Sequence, residues 1–450
     1  MSDTSSACGR CAAPGAAVGL LATSLLLVGA VAARATPAAE RLYVSDETGG
    51  NVVVVDPERQ QVVARIAVGK RPRGIQLSAD HSKVYVALSG SPIGGPNVDE
   101  SKLPPPDRRY DGIGVVDVAA QKLLRTYQSG ADPETFALSH DGGMLYVSNE
   151  DTGHLSAVDL KSGTLRGTVA VGSEPEGVAV SADDRTVYVT CETSNSIYVV
   201  EAASLKVLAQ IPTGKRPRAI YLSSHDQRGY ATDEFAGALT VFDTHDYKAL
   251  TSIALGDPGV VRPMGIASVD GRKLYVTTGR FAALLEVDPQ AGRVIRTVDK
   301  IGQRPWGLAM SRDGAKAYTA NGPSGDVSVI DVASGRLEAR IQVGGSPWGI
   351  VAAPATALAD GQRELPAEGG IWKAVVPPKE AMRGEFDSND PIGLTAGVRI
   401  KADCSINWVD PDAGQLYCFS SATSLVVFLE APRSYLERAR LQWQRLAASG

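Results

Sequence analysis

The chain has 450 residues, of which 44% are hydrophobic and 21% charged, and its formal net charge at pH 7 is −5. This composition suffices for a sizeable core. The mildly acidic balance argues against nucleic acid or an anionic membrane as the main partner.

The first 35 residues are predicted to form a cleaved signal peptide. An apolar run of about 15 residues precedes "ARA", in which Ala33 and Ala35 suit signal peptidase, so we place the cleavage after Ala35. The run is short for a membrane-spanning helix. An uncleaved anchor is the alternative, because Arg10 is the only basic residue before the run. The expected mature protein is periplasmic and has no membrane span.

From residue 41 the chain repeats a Gly-x-x-Pro phrase. "GKRPRGI" at 69–75 returns as "GKRPRAI" at 214–220, and the spacing between copies is 42 residues, lengthened once by 19 and once by 4. Each phrase is followed by a polar turn, a Tyr-Val strand such as "VYVTC", and two further alternating runs. Four short strands per repeat predict the blades of an all-β propeller. The repeated prolines are Pro72, Pro133, Pro175, Pro217, Pro263, Pro305 and Pro347.

One tyrosine marks the second strand of each repeat, which predicts seven blades: Tyr43, Tyr85, Tyr146, Tyr188, Tyr230, Tyr275 and Tyr318. The chain enters with three strands of a blade and leaves with a single Gly-x-x-Pro strand. Together these fragments complete one blade. The ring over 41–354 should therefore close by pairing N- and C-terminal strands, which leaves no exposed terminal edge.

The strands "LYVSN" and "VYVTC", with Gly-x-x-Pro before them and "VSVIDV" after, resemble the YVTN-type seven-bladed propeller repeats over 41–354. The insertion "GSPIGGPNVDESKLPPPDRRYDGIGVVDV" is more specifically similar to propeller proteins associated with pyrroloquinoline quinone (PQQ)-dependent alcohol catabolism. This resemblance implies an accessory function in PQQ-dependent alcohol oxidation. The implied partner is a periplasmic protein such as a quinoprotein dehydrogenase or its cytochrome.

The residue after each repeated proline is predicted to point toward the mouth of the central channel. Glycine permits the tight turn and proline sets φ at the strand start, but neither explains the next residue. Arginine fits a carboxylate or phosphate and tryptophan offers a flat apolar wall, so we predict a ligand-binding funnel. The alternative is that these side chains fill the channel with ion pairs and packing. They are Arg73, Glu134, Glu176, Arg218, Met264, Trp306 and Trp348.

The insertion at 89–111 should lie on the same face as the Gly-x-x-Pro turns. A disordered spacer is one interpretation of so long a loop. We instead predict a lid or docking loop that places Arg108 and Arg109 near the funnel. Four apolar residues should anchor it: Ile93, Val98, Leu103 and Tyr110.

After Pro354, residues 355–370 are predicted to be a linker and 371–450 a separate small α+β module. The pair Asp390-Pro391, the segment "LYCFSS" and the spacing of Phe428, Pro432 and Tyr435 resemble a YHS-type domain. Metal-binding relatives carry cysteines where this chain has "DPIG" and "SSATS", so the resemblance implies no metal here.

Cys404 and Cys418 bracket a predicted hairpin in this module. They either close a disulfide across it or remain two free thiols.

Catalytic groups are scarce. Of five histidines only His154 falls on the funnel face, and the sequence contains no nucleophile elbow, haem motif or zinc signature. We therefore predict no catalytic residue, metal or cofactor and favour a non-enzymatic protein that binds a small ligand or a periplasmic partner. The alternative is a lactonase-like or lyase-like propeller enzyme that uses the funnel carboxylates Glu134, Glu176 and Glu192.

Overall fold

The computed structural model describes residues 39–93, 102–224, 227–355, 383–404, 406–410, 414–430 and 432–448. The predicted signal peptide and all of the predicted linker except Ala355 lie outside these ranges. Within them, no helix is both long and apolar enough to cross a membrane.

Seven four-stranded antiparallel sheets form the predicted seven-bladed propeller. Within each blade the strands run in sequence order from the channel outward, except that the innermost strand of blade 1 comes from the end of the ring. In chain order the strands are β1 (Glu40–Asp46), β2 (Asn51–Asp56) and β3 (Gln61–Ala67) of blade 1; β4 (Ile75–Leu77), β5 (Lys83–Leu88), β6 (Gly112–Asp117) and β7 (Lys122–Tyr127) of blade 2; β8 (Pro133–Leu138), β9 (Met144–Asn149), β10 (His154–Asp159) and β11 (Thr164–Ala170) of blade 3; β12 (Pro175–Val180), β13 (Thr186–Cys191), β14 (Ser196–Glu201) and β15 (Val207–Pro212) of blade 4; β16 (Pro217–Leu222), β17 (Arg228–Asp233), β18 (Ala238–Asp243) and β19 (Lys248–Ala254) of blade 5; β20 (Pro263–Ala267), β21 (Leu274–Thr278), β22 (Ala283–Asp288) and β23 (Arg293–Val298) of blade 6; β24 (Pro305–Met310), β25 (Lys316–Asn321), β26 (Asp326–Asp331) and β27 (Arg336–Gln342) of blade 7; and β28 (Pro347–Pro354), which returns to blade 1.

The ring closes in blade 1, as predicted. Strand β28 pairs antiparallel with β1, so that Tyr43 lies opposite Val351 and Val44 opposite Ile350. The sheet order is β28-β1-β2-β3, which makes the last strand of the propeller the innermost strand of its first blade. Both fragments of the interrupted repeat therefore belong to one sheet.

The core of the propeller lies between the blades. Strand β13 is buried along its whole length, whereas the outermost strand β27 alternates between exposed residues and partly or fully buried ones. A strand covered on both faces needs a continuous apolar run, which the Tyr-Val strands provide. Each junction between neighbouring blades contains its own apolar cluster; the closing one joins Tyr318 of blade 7 to Leu42 of blade 1.

In five blades, a buried hydroxyl two residues after the repeated tyrosine links the innermost strands of adjacent blades. In blade 4, Thr190 Oγ1 accepts a hydrogen bond from the Gly177 N–H at 2.8 Å and donates to the carbonyl of Arg218 in blade 5. Gly177 lies so close to that carbonyl that it leaves no space for a Cβ atom. These bonds fix the backbone of five of the seven post-proline residues. The hydroxyls are those of Ser45, Ser148, Thr190, Thr232 and Thr277.

The C-terminal α+β region has its own apolar core. Its elements are a helical turn α1 (Glu385–Ser388), helix α2 (Pro391–Thr395), the hairpin β29 (Ile406–Val409) and β30 (Leu416–Phe419), and helices α3 (Ala422–Glu430) and α4 (Pro432–Ala448). One cluster contains the buried residues Phe386, Leu394, Tyr417, Phe419, Leu425, Phe428, Leu436 and Ala439.

Asp390 joins α2 to the end of the hairpin. Its Oδ1 accepts the Ile392 N–H at 2.8 Å at the start of α2, and its Oδ2 accepts the Ser420 N–H at 2.8 Å. Cys404 and Cys418 are joined by a disulfide, so of the two alternatives the structure contains the bridge. The remaining cysteine of the described chain, Cys191, is free and buried.

Candidate functional site

A cavity of about 210 Å³ lies in the central channel. Residues from all seven blades line it, beginning at the position after the repeated proline in five blades and one position later in blades 2 and 3. Five of the seven predicted funnel residues are among them: Glu176, Arg218, Met264, Trp306 and Trp348.

Two stacked indoles form one wall of this cavity. The ring centroids of Trp306 and Trp348 lie 5.4 Å apart with an interplanar angle of 26°. The guanidinium carbons of Arg218 and Arg304 lie 4.8 and 4.7 Å from the centroid of Trp306. Both tryptophans remain partly exposed, which leaves flat apolar surface for a ligand.

Arg218 is the buried centre of an ion cluster contributed by blades 4 and 5. Its Nη1 contacts Glu176 and lies 2.6 Å from Glu192 Oε1, and its Nε lies 2.7 Å from Glu234 Oε2. Arg216 contacts the same Glu192 and Glu234 at 2.6 and 3.1 Å. Burial, reinforced by Glu176, raises the pKa of Glu192 to about 9. Burial likewise raises the pKa of Glu176, and the positive charge of Arg218 opposes the rise at both carboxyl groups.

Arg73 is the centre of a second ion cluster and is only 1% exposed. Its guanidinium contacts Glu134 and lies 2.5 Å from Asp132 and 3.1 Å from Glu150. Arg71 extends the cluster to Glu47 at 2.9 Å.

Arg73 and Glu134 are therefore paired with each other beside the cavity and are not among the residues that line it. The duplicated "KRPR" phrase accordingly builds two similar arginine pairs, each held by carboxylates of neighbouring blades.

The residue before each repeated proline was not identified by the sequence analysis. Six of these residues are charged and adopt left-handed backbone with φ between 46° and 59°. A non-glycine residue rarely adopts this conformation, and such strained positions concentrate at functional sites. The six are Arg71, Asp132, Glu174, Arg216, Arg262 and Arg304.

Backbone hydrogen bonds hold these residues in place. The N–H of the residue that follows the Tyr-Val strand donates to the pre-proline carbonyl, as Glu234 does to Arg216 and Glu192 to Glu174, both at 2.9 Å. The sequence does contain a signal for these residues, because the position before the repeated proline is charged in six of the seven blades.

The two arginines of the insertion, Arg108 and Arg109, differ in their contacts and in their exposure to solvent. Arg108 contacts Asp151, which follows Glu150 of the Arg73 cluster, and it also lies 3.1 Å from Asp111. Arg109 is paired at 2.7 Å with Asp107, and its side chain is 85% exposed. Arg108 is thus near the second ion cluster, whereas Arg109 faces solvent.

The predicted apolar anchors of the insertion are not buried. Ile93 is 42% exposed and Tyr110 is 40% exposed, so the expectation that burial of these side chains would fix the loop is wrong for them. Leu103 is partly buried, and Val98 lies outside the described residues. Polar contacts fix the base of the loop instead: the Asp111 carboxylate accepts the N–H groups of Gly90 at 2.6 Å and Asp132 at 3.0 Å.

Across the described residues, neither a histidine nor a metal-type cluster lines the cavity. His154 hydrogen-bonds through Nδ1 to the Thr152 carbonyl at 2.6 Å. Within the described ranges one group, Asp243, His245 and Asp246, brings possible ligand atoms within 4.8 Å of one another. The Asp243 carboxylate already accepts the N–H groups of the other two residues at 2.8 and 2.7 Å, which is the geometry of a turn.

The family model of the Choice-of-anchor I domain matches residues 27–234. No curated protein matches the sequence.

Solved structures share the propeller fold at low identity. The periplasmic gluconolactonase of Pseudomonas aeruginosa is 22% identical, with a TM-score of 0.56 over 70% of this chain and 99% of that chain. A putative 6-phosphogluconolactonase of Bacteroides fragilis is 17% identical, with a TM-score of 0.57 over 71% and 99%. Hydrazine synthase of Kuenenia stuttgartiensis is 19% identical, with a TM-score of 0.53 over 62% and 89%. These similarities establish the fold of the propeller.

Proposed function

We propose that the protein is an exported, non-enzymatic propeller that binds a small ligand in the channel cavity. The observation that carries this proposal is the convergence of five post-proline residues on one cavity, among them a stacked tryptophan pair and a buried arginine. A concave, largely apolar site with a few fixed polar groups is the usual form of a small-molecule site. The volume of about 210 Å³ suits a compact molecule with one flat face.

The ion cluster around Arg218 supports binding rather than simple filling of the channel. Three carboxylates fix the guanidinium, so its position changes little when a ligand arrives. Preorganised polar groups reduce the entropy lost on binding. A channel that was only packed would have no need of a cavity of about 210 Å³ lined by these residues.

We further propose that the protein acts in the periplasm as an accessory to PQQ-dependent alcohol oxidation. The insertion in blade 2 supports this placement by its resemblance, and the choice-of-anchor match fits a surface or secreted protein. A quinoprotein dehydrogenase or its cytochrome is the proposed protein partner. The C-terminal region is proposed to be a YHS-like module without metal, and the contact of Asp390 with Ser420 supports this by joining the two segments that carry the resemblance.

Ligand binding can be tested by tryptophan fluorescence and thermal shift with a panel of sugars, sugar acids, sugar lactones, alcohols and aldehydes. We expect at least one class to bind, and Trp348→Ala to weaken that binding at least tenfold because half of the stacked wall is lost. Trp443→Phe in the C-terminal region is the matched control and should bind as the wild type does. If no class binds, or if Trp348→Ala binds equally well, the channel is not a ligand site.

A second candidate function is hydrolysis of sugar lactones. One observation favours it: the Glu176 carboxyl lines the cavity and its pKa is raised by burial, as a general acid or base requires. With glucono-lactone as substrate, Glu176→Gln should then lower kcat about 100-fold or more. Glu134→Gln is the matched variant, because Glu134 is buried in the Arg73 cluster outside the cavity lining. Absence of hydrolysis by the wild type, or equal loss in both variants, would reject the enzymatic role.

A further inference from the structure

Connecting segments of blades 5, 6 and 7 form one continuous surface on the Gly-x-x-Pro face of the propeller. Each of them either leads into an innermost strand or joins the second strand of a blade to the third. We call this surface the basic patch, and its segments are 213–217, 234–237, 256–262, 279–282 and 299–304.

Direct contacts join neighbouring segments of the basic patch. The Phe235 N–H donates to the Lys215 carbonyl at 3.0 Å, and the guanidinium carbon of Arg262 lies 4.0 Å from the centroid of the Phe235 ring. Arg280 Nη1 donates to the Gly259 carbonyl at 3.2 Å. The last segment donates a backbone N–H to the segment before it at 3.1 Å. The five segments therefore form a single surface.

The basic patch is cationic, although the whole chain has a formal net charge of −5. Four of its six cationic side chains are exposed and two are half-buried, whereas its exposed carboxylates are those of Asp257 and Asp299. The remaining carboxylate, that of Glu234, is buried and paired with Arg216 and Arg218. The six cations are Lys215, Arg216, Arg262, Arg280, Lys300 and Arg304.

Most of these cations have no anionic partner within the protein. Arg216 forms ion pairs with Glu192 and Glu234, but the other five form none across the ranges that the structure describes. A concentration of uncompensated charge of one sign attracts a partner of the opposite sign and orients it before contact. The charge of the basic patch therefore specifies an acidic partner.

Large apolar side chains are exposed among these cations. Phe235, Val260 and Phe281 are between 41% and 44% exposed. Protein interfaces are enriched in aromatic residues and arginine, and apolar surface rimmed by polar residues marks interaction sites. The basic patch has this composition.

The guanidinium groups of the basic patch are held in place, which favours a protein over a lipid surface as the partner. Arg262 and Arg216 lie 4.0 and 5.1 Å from the centroid of the Phe235 ring. Arg304 lies 4.7 Å from the centroid of Trp306, and Arg280 is bonded to the backbone. Fixed, planar donors match carboxylates at fixed positions, and fluid lipid headgroups do not require them.

We infer that the basic patch is a docking surface for an acidic protein, whose carboxylates meet the arginines while an apolar side chain packs against Val260 and Phe281. The inference needs no ligand in the channel. It rests on the proposal that the protein has a periplasmic partner, and it assigns that partner a docking surface and a charge.

The test uses two short peptides that differ in charge. One is rich in aspartate and glutamate around a central leucine, and the other has asparagine and glutamine at the acidic positions. Each carries a rhodamine label and is titrated with the full-length protein by fluorescence anisotropy. We expect the acidic peptide to bind about tenfold more tightly, and added salt to weaken its binding because the charges are exposed. Since the peptides stand in for the partner, the assay does not depend on the identity of that partner.

Variants with matched changes of charge locate the surface. The double variant Arg280→Glu, Lys300→Glu should weaken binding of the acidic peptide about tenfold. The double variant Arg185→Glu, Arg272→Glu changes the net charge equally in exposed turns of the opposite face, after β12 and β20, and should bind nearly as the wild type does. Phe281→Ser should weaken binding without any change of net charge. Melting temperatures confirm that each variant is folded.

Three outcomes overturn the inference. Equal binding of the two peptides would show that the patch does not select acidic groups. Equal weakening by the two double variants would show a response to net charge alone. Binding to vesicles of phosphatidylglycerol and phosphatidylethanolamine without binding to the acidic peptide would assign the patch to a lipid surface.

The channel function is decided by a separate readout. Neither Arg280 nor Lys300 lines the cavity, so their double variant should retain the change in tryptophan fluorescence that a channel ligand produces in the wild type. Rejection of the docking surface therefore leaves the proposed cavity site standing, and absence of any channel ligand leaves the docking surface standing.

Discussion

A single hydroxyl at the centre of a blade connects two neighbouring sheets. Thr190 is fully buried, and its Oγ1 serves both the Gly177 N–H of its own blade and the Arg218 carbonyl of the next. Thr190→Val keeps the volume but leaves a buried donor and a buried acceptor unsatisfied. We expect a loss of about 1–3 kcal/mol in the free energy of unfolding, measured by urea denaturation. Thr251→Val on the exposed face of β19 should change stability little, and an equal effect of both would exclude the hydroxyl as a link between blades.

Asp233, at the buried end of β17, predicts a pH dependence of stability. Burial raises its pKa from 3.8 to about 7, while a hydrogen bond from Thr240 at 2.7 Å opposes the rise. The folded protein therefore holds this proton more tightly than the unfolded chain. The stability that Asp233 contributes is fully present below pH 4 and is lost as the pH rises to about 7.

Asp233→Asn should remove this dependence. Relative to wild type, its unfolding free energy should rise between pH 4 and pH 7 by at most about 1.4 kcal/mol per pH unit and then level off. Asp270→Asn, at an exposed turn, provides the baseline. A constant difference between Asp233→Asn and wild type across this range would show that Asp233 is ionised throughout.

Sequence reasoning reached some residues of the site and missed others for identifiable reasons. The position after each proline could be aligned by period alone, and five of those side chains do line one cavity. The partners of Arg73 could not be predicted, because Asp132 and Glu150 come from different positions of another repeat. The pre-proline arginines could not be recognised in this way, because the residue before a proline is expected to be extended, whereas here it is left-handed.

At the scale of elements, the 42-residue period was sufficient for the blades and their order. Each repeat carries its own turn residues and its own buried tyrosine, so every blade is specified locally. The insertion in blade 2 is the element that the period could not describe. Its base is fixed by the Asp111 carboxylate through the N–H groups of Gly90 and Asp132, and these contacts do not depend on the residues between.

Replacement of residues 91–109 by a short Gly-Ser link should therefore leave the fold intact. Circular dichroism and melting temperature should be close to those of the full chain, while binding of the ligand or periplasmic partner should be abolished. The double variant Arg108→Gln, Arg109→Gln keeps the loop length and separates the effect of charge from that of bulk. Undiminished binding by the shortened protein would mean that the loop has no part in recognition.

For the whole molecule, stability depends on the pairing of β28 with β1, which closes the ring. Strand β28 supplies the innermost strand of blade 1, with Ala352 opposite Leu42 and Ile350 opposite Val44. A chain that ends at residue 343 loses this strand and exposes the edge of β1. It should aggregate or melt well below the full-length protein. A chain that ends at residue 370 is the matched control and should retain a folded propeller; equal melting temperatures for the two truncated proteins would contradict the closure.

The pairing of β28 with β1 also determines when the ring can close during synthesis of the chain. Ser45 and Gly349 are in contact across 304 positions of sequence, so their meeting has to wait until nearly the whole propeller has been synthesised. Trp348 lies on that last strand, and the cavity does not exist before Trp348 reaches Trp306. Under the proposed ligand-binding function, a ligand seated against both indoles would bind only closed rings and would stabilise them by mass action.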